Sequence, residues 1–217
     1  MGEAILTRAG GGGINENTIN DVISNATLKY ITFDSSGTFT VPKTGNYDVL
    51  CCGGGGGGGG HNAYGSSWGK NNYGGGGGGS GYINRNMVYL TAGASVSVTV
   101  GNGGSAGNEA NGTTGGTSSF GTYLSASGGL GGNRGYAKNA KAIYQGTGGL
   151  GRENGEDCTG NRANGGSGII PPDQMNGNMY GKGGYGELLI YNSDSGTAKD
   201  GIRPTDGISG CVWIGWY

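Results

Sequence analysis

The chain has 217 residues, 57 of them glycine, with 13 basic and 14 acidic residues for a formal net charge of −1. Charged residues make only 12% and hydrophobic residues 33%, so glycine stands where side chains would, and disorder driven by charge repulsion is excluded. Balanced charge marks no nucleic-acid or anionic-lipid surface, and no apolar stretch approaches the ~20 residues of a membrane helix.

The start, Met1-Gly2-Glu3-Ala4-Ile5-Leu6, has neither signal-peptide regions nor a myristoylation pattern. The expectation is synthesis in a cytoplasm, with release by lysis left open, and no membrane insertion. Residues 1–27 read as a separate attachment or oligomerisation arm, in which Ile14, Ile19, Val22 and Ile23 form a weak helical stripe.

From residue 28 the period is two. Leu28, Tyr30 and Thr32 alternate with Lys29, Ile31 and Phe33. Turns at Asp34–Gly37 and Lys43–Asn46 bound a strand over Thr38–Pro42, and Tyr47–Cys52 runs straight into glycines. Tyr82–Leu90, a turn at Thr91–Ala94 and the strictly alternating Ser95–Val100 follow. Shorter strands are predicted within Thr117–Leu124 and over Glu187–Tyr191. The apolar end, Gly210–Tyr217, predicts a buried central strand.

Between the strands lie seven glycine-rich tracts: Gly53–Gly60, Gly74–Gly79, Gly101–Gly104, Gly128–Gly132, Gly146–Gly151, Gly165–Gly168 and Gly181–Gly186. Four prolines and no strict G-X-Y period exclude collagen. A flexible linker would not be cut into pieces interleaved with strands. Polyglycine in the polyproline-II conformation has three residues per turn and no internal hydrogen bonds, so its N–H and C=O groups need lateral partners. Without Cβ atoms such rods can approach closely enough to supply them. The predicted fold is therefore all-β plus packed polyglycine-II helices over 28–217, with an antiparallel β-sandwich as clamp and little or no α-helix.

The motifs for chemistry are weak. Gly181–Gly186 matches G-x-G-x-x-G, but at this glycine content chance produces such matches, and the strand-then-helix setting is missing. His61 is the only histidine, so no Ser/His/Asp constellation or metal site is expected, and no cofactor. Cys51, Cys52, Cys158 and Cys211 have no zinc spacing. They read as small buried apolar residues, with a bridge to Cys158 or Cys211 left open. Glu153, Glu156, Asp157, Asp194, Asp200 and Asp206 read as solvated loop charges, and paired carboxylates for glycan hydrolysis stay open.

More telling are large side chains stranded between tracts: His61, Tyr64, Trp68 and Tyr73; Tyr136 and Tyr144; Met175, Met179 and Tyr180. Aromatic, Asn- and Ser-rich loops on a rigid scaffold are built like paratopes. These nine are the candidate receptor contacts, and the alternative, that they fold back as lids on the bundle, stands beside that reading.

Phe33–Pro42, Gly45–Val49 and the glycine runs, then Val96–Gly104, Gly115–Phe120 and the closing strand Gly210–Tyr217, resemble a glycine-rich module at the ends of bacteriophage tail fibres. They are also similar to the glycine-rich extracellular domain of the anaplastic lymphoma kinase receptor family. The resemblance covers about residues 28–217. It implies a jelly-roll sandwich of tumour-necrosis-factor type with polyglycine-II helices. It also implies a non-enzymatic virion protein, a tail-fibre or baseplate adhesin, that docks on other tail or baseplate proteins through 1–27. Such a protein binds a host surface glycan or protein through its loops and is a homo-oligomer, a trimer being favoured. The rival readings are a virion decoration or cap protein, an ice-binding protein and a glycan depolymerase. No binding residue carries over from either family.

Overall fold

Alternation of apolar and polar residues decides where the strands lie. The computed structural model describes residues 28–62, 74–139, 142–144, 146–158, 163–172, 179–191 and 198–217. Its strands are β1 (Lys29–Phe33), β2 (Gly37–Thr40), β3 (Gly45–Cys52), β4 (His61–Asn62), β5 (Ile83–Leu90), β6 (Ser95–Thr99) and β7 (Ser118–Phe120). There follow β8 (Leu124–Ala126), β9 (Gly135–Asn139), β10 (Ala142–Tyr144), β11 (Leu188–Tyr191), β12 (Ala198–Ile202) and β13 (Cys211–Trp216). Among the described residues there is no helix, hence none long and apolar enough to cross a membrane. The predicted arm, 1–27, lies outside the described residues. By its contacts the chain divides into Met1–Lys29 with Tyr217, and Tyr30–Trp216; the strands β2 to β13 and the glycine segments between them belong to the second unit.

Two four-stranded sheets, β1-β13-β3-β5 and β2-β6-β7-β8, meet at one apolar core. In β6, Val96 and Val98 are buried while Ser95, Ser97 and Thr99 face water, as the alternation predicts. They pack with Phe39 of β2 and Phe120 of β7 against Tyr47, Val49, Val88, Val212 and Ile214 of the first sheet. Phe39 sets its edge on Tyr47, ring centroids 5.7 Å apart. Each such side chain removed from water contributes about 1.5–3 kcal/mol. The closing strand β13 lies between β1 and β3 and is buried over Cys211–Gly215, as its composition predicts. β1, the strand expected from residue 28, is at the edge of its sheet, with Tyr30 and Ile31 exposed. The predicted turn Thr91–Ala94 is present, with Gly93 at φ 80°.

The glycines form extended segments beyond the sheets, and a period of three runs through their hydrogen bonds. In Gly53–Gly60 the N–H groups of Gly53, Gly56 and Gly59 donate to the carbonyls of Tyr82, Gly79 and Gly76. Those of Gly54, Gly57 and Gly60 donate to Gly116, Thr113 and Ala110, and those of Gly55 and Gly58 to Ile208 and Thr205. These acceptors run antiparallel to the segment. Its own carbonyls accept from three parallel neighbours: Gly54, Gly57 and Gly60 from Gly129, Gly132 and Gly135; Gly55 and Gly58 from Gly104 and Gly107; Gly56 and Gly59 from Gly184 and Glu187. The segment is therefore enclosed on every side by backbone, and its eight residues are all buried.

The second run behaves alike. Gly75, Gly78 and Gly81 donate to Glu187, Gly184 and Gly181; Gly76 and Gly79 to Asn133 and Leu130; Gly77 and Ser80 to Glu156 and Glu153. Its one side chain, Ser80, is 1% exposed, and its hydroxyl accepts the N–H of Glu153 at 2.9 Å. A pure glycine run thus marks a segment with no free face. At the periphery side chains return every third residue: Leu130 and Asn133, or Lys182 and Tyr185, with glycine pairs between them on the inner faces.

The joint between sheets and bundle is Ser118 of β7, fully buried. Its hydroxyl donates to the Cys52 carbonyl (2.6 Å) and accepts the Gly101 N–H (3.0 Å). It ties the end of β3 to the start of another glycine segment.

A methyl group at Gly57 would land on the backbone carbonyl of Ser105, whereas one at Gly45 meets nothing within 4 Å. Gly57→Ala is expected to lower stability by about 3 kcal/mol, and Gly45→Ala to change it by less than about 0.5 kcal/mol. Urea denaturation of both variants checks the contrast.

Candidate functional site

The hydrogen-bond register gives the bundle two ends. Gly53 and Gly81 lie beside the sheets, and Gly60, Gly74 and Gly135 lie at the far end. The described residues that flank 63–73, 159–162 and 192–197 all lie at that far end: Asn62 and Gly74; Cys158 and Ala163; Tyr191 and Ala198. Two small β-structures cap it. One is the three-stranded sheet β10-β9-β4, in which β4 pairs parallel with β9. The other is the antiparallel hairpin β11–β12, with a register shift between Leu188 and Ile190.

At the same end opens a cleft of about 430 Å³, within the range of small-ligand sites. Each wall comes from a residue where an extended glycine segment ends. His61 is the first residue after Gly53–Gly60, and Glu187 the first after Gly181–Gly186. Ala106, Asn108 and Glu109 form the turn that follows Gly101–Gly104, and Arg203 and Pro204 leave β12.

His61 and Glu187 are the fixed part of the cleft. The Glu187 carboxylate accepts the His61 backbone N–H at 3.0 Å, and its Oε2 lies 2.9 Å from Nδ1 of the ring. Both side chains are 12% exposed. The Glu187 backbone also bonds both central runs, donating to Gly59 and accepting from Gly75. One residue thus holds the ends of both runs and shows its carboxylate to the cleft. Glu109, also in the lining, has φ 54°, a left-handed conformation uncommon for a non-glycine residue. The turn is held by Arg134, whose N–H donates to Asn111 Oδ1 at 2.8 Å, and by Asp206, whose Oδ1 accepts the Ala106 N–H at 2.7 Å. The walls present carboxylates, an amide, an imidazole and a guanidinium, an array that can share hydrogen bonds with a polyhydroxylated or zwitterionic ligand.

The sequence-based candidates divide between the two ends. His61 lines the cleft. Tyr136 and Tyr144 stand opposite one another in the β9–β10 ladder, so their stretch is a hairpin and not the loop that was expected. Tyr64, Trp68, Tyr73 and Met175 lie outside the described residues. Met179 is exposed, but at the sheet end. Tyr180 is 9% exposed and packs with Leu50, Cys52, Cys211 and Trp213, under a two-way bridge to Ile169. It belongs to a core over the outer face of the first sheet, away from the cleft.

Glu109, Glu187, Asn108 and Arg203 were not singled out from sequence. The available signal was position: each follows or precedes a period-three glycine segment and so falls where the bundle stops. Of the acidic residues expected to be solvated loop charges, Glu153, Glu156, Asp157 and Asp206 are exposed, and three of them also accept backbone N–H groups. Glu156 accepts from Asn164, and Asp157 accepts the Gly148 N–H at 2.7 Å. Among the described residues no group of three or more His, Cys, Asp or Glu could hold a metal ion.

Residues 32–215 match the model of a family described as a glycine-rich domain, and the chain belongs to that family. No curated protein matches the chain.

Removing the Glu187 carboxylate leaves the half-buried His61 N–H without its acceptor. Glu187→Ala is expected to cost about 1–3 kcal/mol and Glu187→Gln, which keeps an acceptor oxygen, less than half of that. Thermal unfolding of the two variants measures the difference.

Proposed function

We propose, from the premise that the chain is a member of the glycine-rich domain family, that it is a phage or prophage virion protein: a tail-fibre or baseplate adhesin that touches a host surface glycan or protein with the far end of its glycine bundle. In this reading the glycine segments are polyglycine-II helices in a close-packed array, and the two sheets are the halves of a jelly-roll sandwich of tumour-necrosis-factor type. Residues 1–27 dock on other tail or baseplate proteins. The assembly is a homo-oligomer, with three copies favoured, made in the host cytoplasm and carried on the virion. The chain acts by binding and not by catalysis.

One observation carries the reading. The cleft, two small β-caps and the chain departures at 62, 158 and 191 are gathered at one end of a bundle whose interior is backbone. Such a bundle changes shape little, because each central residue is held from several directions. Residues on a rigid support lose little freedom when they bind, and that favours recognition. Sequence change at the far end leaves the interior hydrogen bonds untouched, which suits a surface that must follow a changing receptor.

Two measurements test it. Particles carrying a deletion of 63–72 should adsorb to host cells at least about tenfold more slowly, with the thermal unfolding of the purified chain unchanged. Equal adsorption removes that stretch from the receptor contact. Hydrogen exchange addresses the array: the amides of Gly54–Gly59 should exchange only on global unfolding. Exchange at free-peptide rates would end the polyglycine-II assignment.

A further inference from the structure

Four thiols are present, and all four are buried and unbridged. Their surroundings differ. Cys51 points into the core between the sheets, near the Leu124 carbonyl. Burial there pushes its thiol up to about 12, which leaves it inert. Cys158 donates its backbone N–H to Gly146, at the far end of the bundle. Cys52 and Cys211 stand apart from both. Side chains alternate along a strand, so Cys52 points to the face opposite Cys51. It joins Cys211 in the cluster with Leu50, Tyr180 and Trp213.

Cys52 and Cys211 are also register partners in the antiparallel β3–β13 ladder. Directly opposed residues in such a ladder have Cα atoms about 4.5–5.5 Å apart, inside the ~4.4–6.8 Å window of a disulfide. A hydrogen bond from Cys211 holds the Cys52 thiol below its ordinary range, against burial, and Arg152 acts in the same sense. We propose that Cys52 and Cys211 form a cross-strand disulfide when the folded chain meets a peroxide or another small two-electron oxidant. No other pairing suits the geometry: Cys51 lies opposite Val212 on the far face of the sheet, and Cys158 is at the other end of the bundle.

The chemistry balances with peroxide as oxidant. The Cys52 thiolate attacks one peroxide oxygen, the O–O bond breaks, and a sulfenic acid and hydroxide result. The Cys211 sulfur then attacks the Cys52 sulfur. The S–S bond forms, the S–O bond breaks, and the departing hydroxide takes the Cys211 proton. The first hydroxide takes the proton that Cys52 had lost. Two thiols and one hydrogen peroxide thus give one disulfide and two waters, and the two electrons come from sulfur. Both residues lie beneath Tyr180 and the partly buried Ile169 on the outer face of the first sheet, and a small oxidant reaches them when that cover opens.

The position gives the bond its effect. Cys52 precedes Gly53 and Cys211 follows Gly210, so the bridge encloses every glycine segment between 53 and 210 in one covalent loop. A loop of that length restricts the unfolded chain strongly. The bundle becomes harder to unfold in an oxidising medium than in a reducing one, whether or not its far end binds a cell surface.

The test uses the full-length folded protein. It is treated with hydrogen peroxide, alkylated in denaturant and digested, and the peptides are identified by mass spectrometry. The expected product is a cross-link between the Cys51-Cys52 peptide and the Cys211 peptide that persists in Cys51→Ala and is lost in Cys52→Ala and in Cys211→Ala. The oxidised wild type should melt roughly 5 °C or more above the protein kept in phosphine reductant. That comparison needs no variant and stands if a variant fails to fold. Four alkylated thiols after oxidation, a cross-link that uses Cys51 or Cys158, or oxidation of Cys52 to sulfinic acid without a bridge would each overturn the proposal.

Discussion

A buried backbone N–H without an acceptor costs more than most side-chain contacts return, and in this chain the constraint is met by backbone bonding sideways to backbone. Gly53–Gly60 donates to three antiparallel neighbours and is bonded in turn by three parallel ones. That geometry exists only if nothing projects from the α-carbons, since a Cβ at any of the eight positions would strike a neighbouring main chain. Each glycine gives up more backbone freedom than another residue would. The lateral bonds offset that loss only when all are made together, so the segments form as a set. Ser80 illustrates the limit: a side chain enters the interior only by taking over a backbone partner, the Glu153 N–H.

The sheets supply what the bundle lacks. Their shared core of Phe39, Tyr47, Val49, Val98, Phe120, Val212 and Ile214 is ordinary hydrophobic stabilisation, and it holds fixed the points at which glycine segments begin and end. β3 hands the chain to Gly53, β13 receives it from Gly210, and the Ser118 hydroxyl binds the end of β3 to Gly101. At the other end the period of three stops, side chains become free to differ, and Glu187 closes both central runs while facing the cleft. The apolar core and the cleft thus lie at opposite ends of the same segments.

Much of this architecture was legible in the chain itself. β6 follows from strict alternation, and β13 from its unbroken apolar composition, because period and burial are local properties. The ordered character of the glycine tracts followed from their interleaving with strands. Three segments of the bundle went unread: 110–116, 153–158 and 204–210 contain too few glycines to stand out as tracts. They lie at the periphery, where only one inward position in three must lack a side chain, so single glycines such as Gly112, Gly115, Gly155 and Gly207 suffice. The cleft was half legible. His61 stands out as a large side chain stranded between glycine tracts, whereas Glu109 and Glu187 look like any other acids until the turn around φ 54° and the bond to His61 give them their place. Tyr180 was read as a loop aromatic, and its burial follows from the pairing of Ile169 with Tyr180, a contact between positions that no local period connects.

By itself the sequence determined the class of structure: strands where the period is two, and close backbone packing where Cβ atoms are missing. Both are short-range consequences of side-chain size and spacing. Only the tertiary structure decided which segments surround which, that Cys52 faces Cys211, and that His61 meets Glu187 across 126 positions of chain. Every glycine offers the same donor and acceptor, so composition cannot specify a partner. The choice is made by where the sheets start each segment and by the register in which the whole set of hydrogen bonds closes.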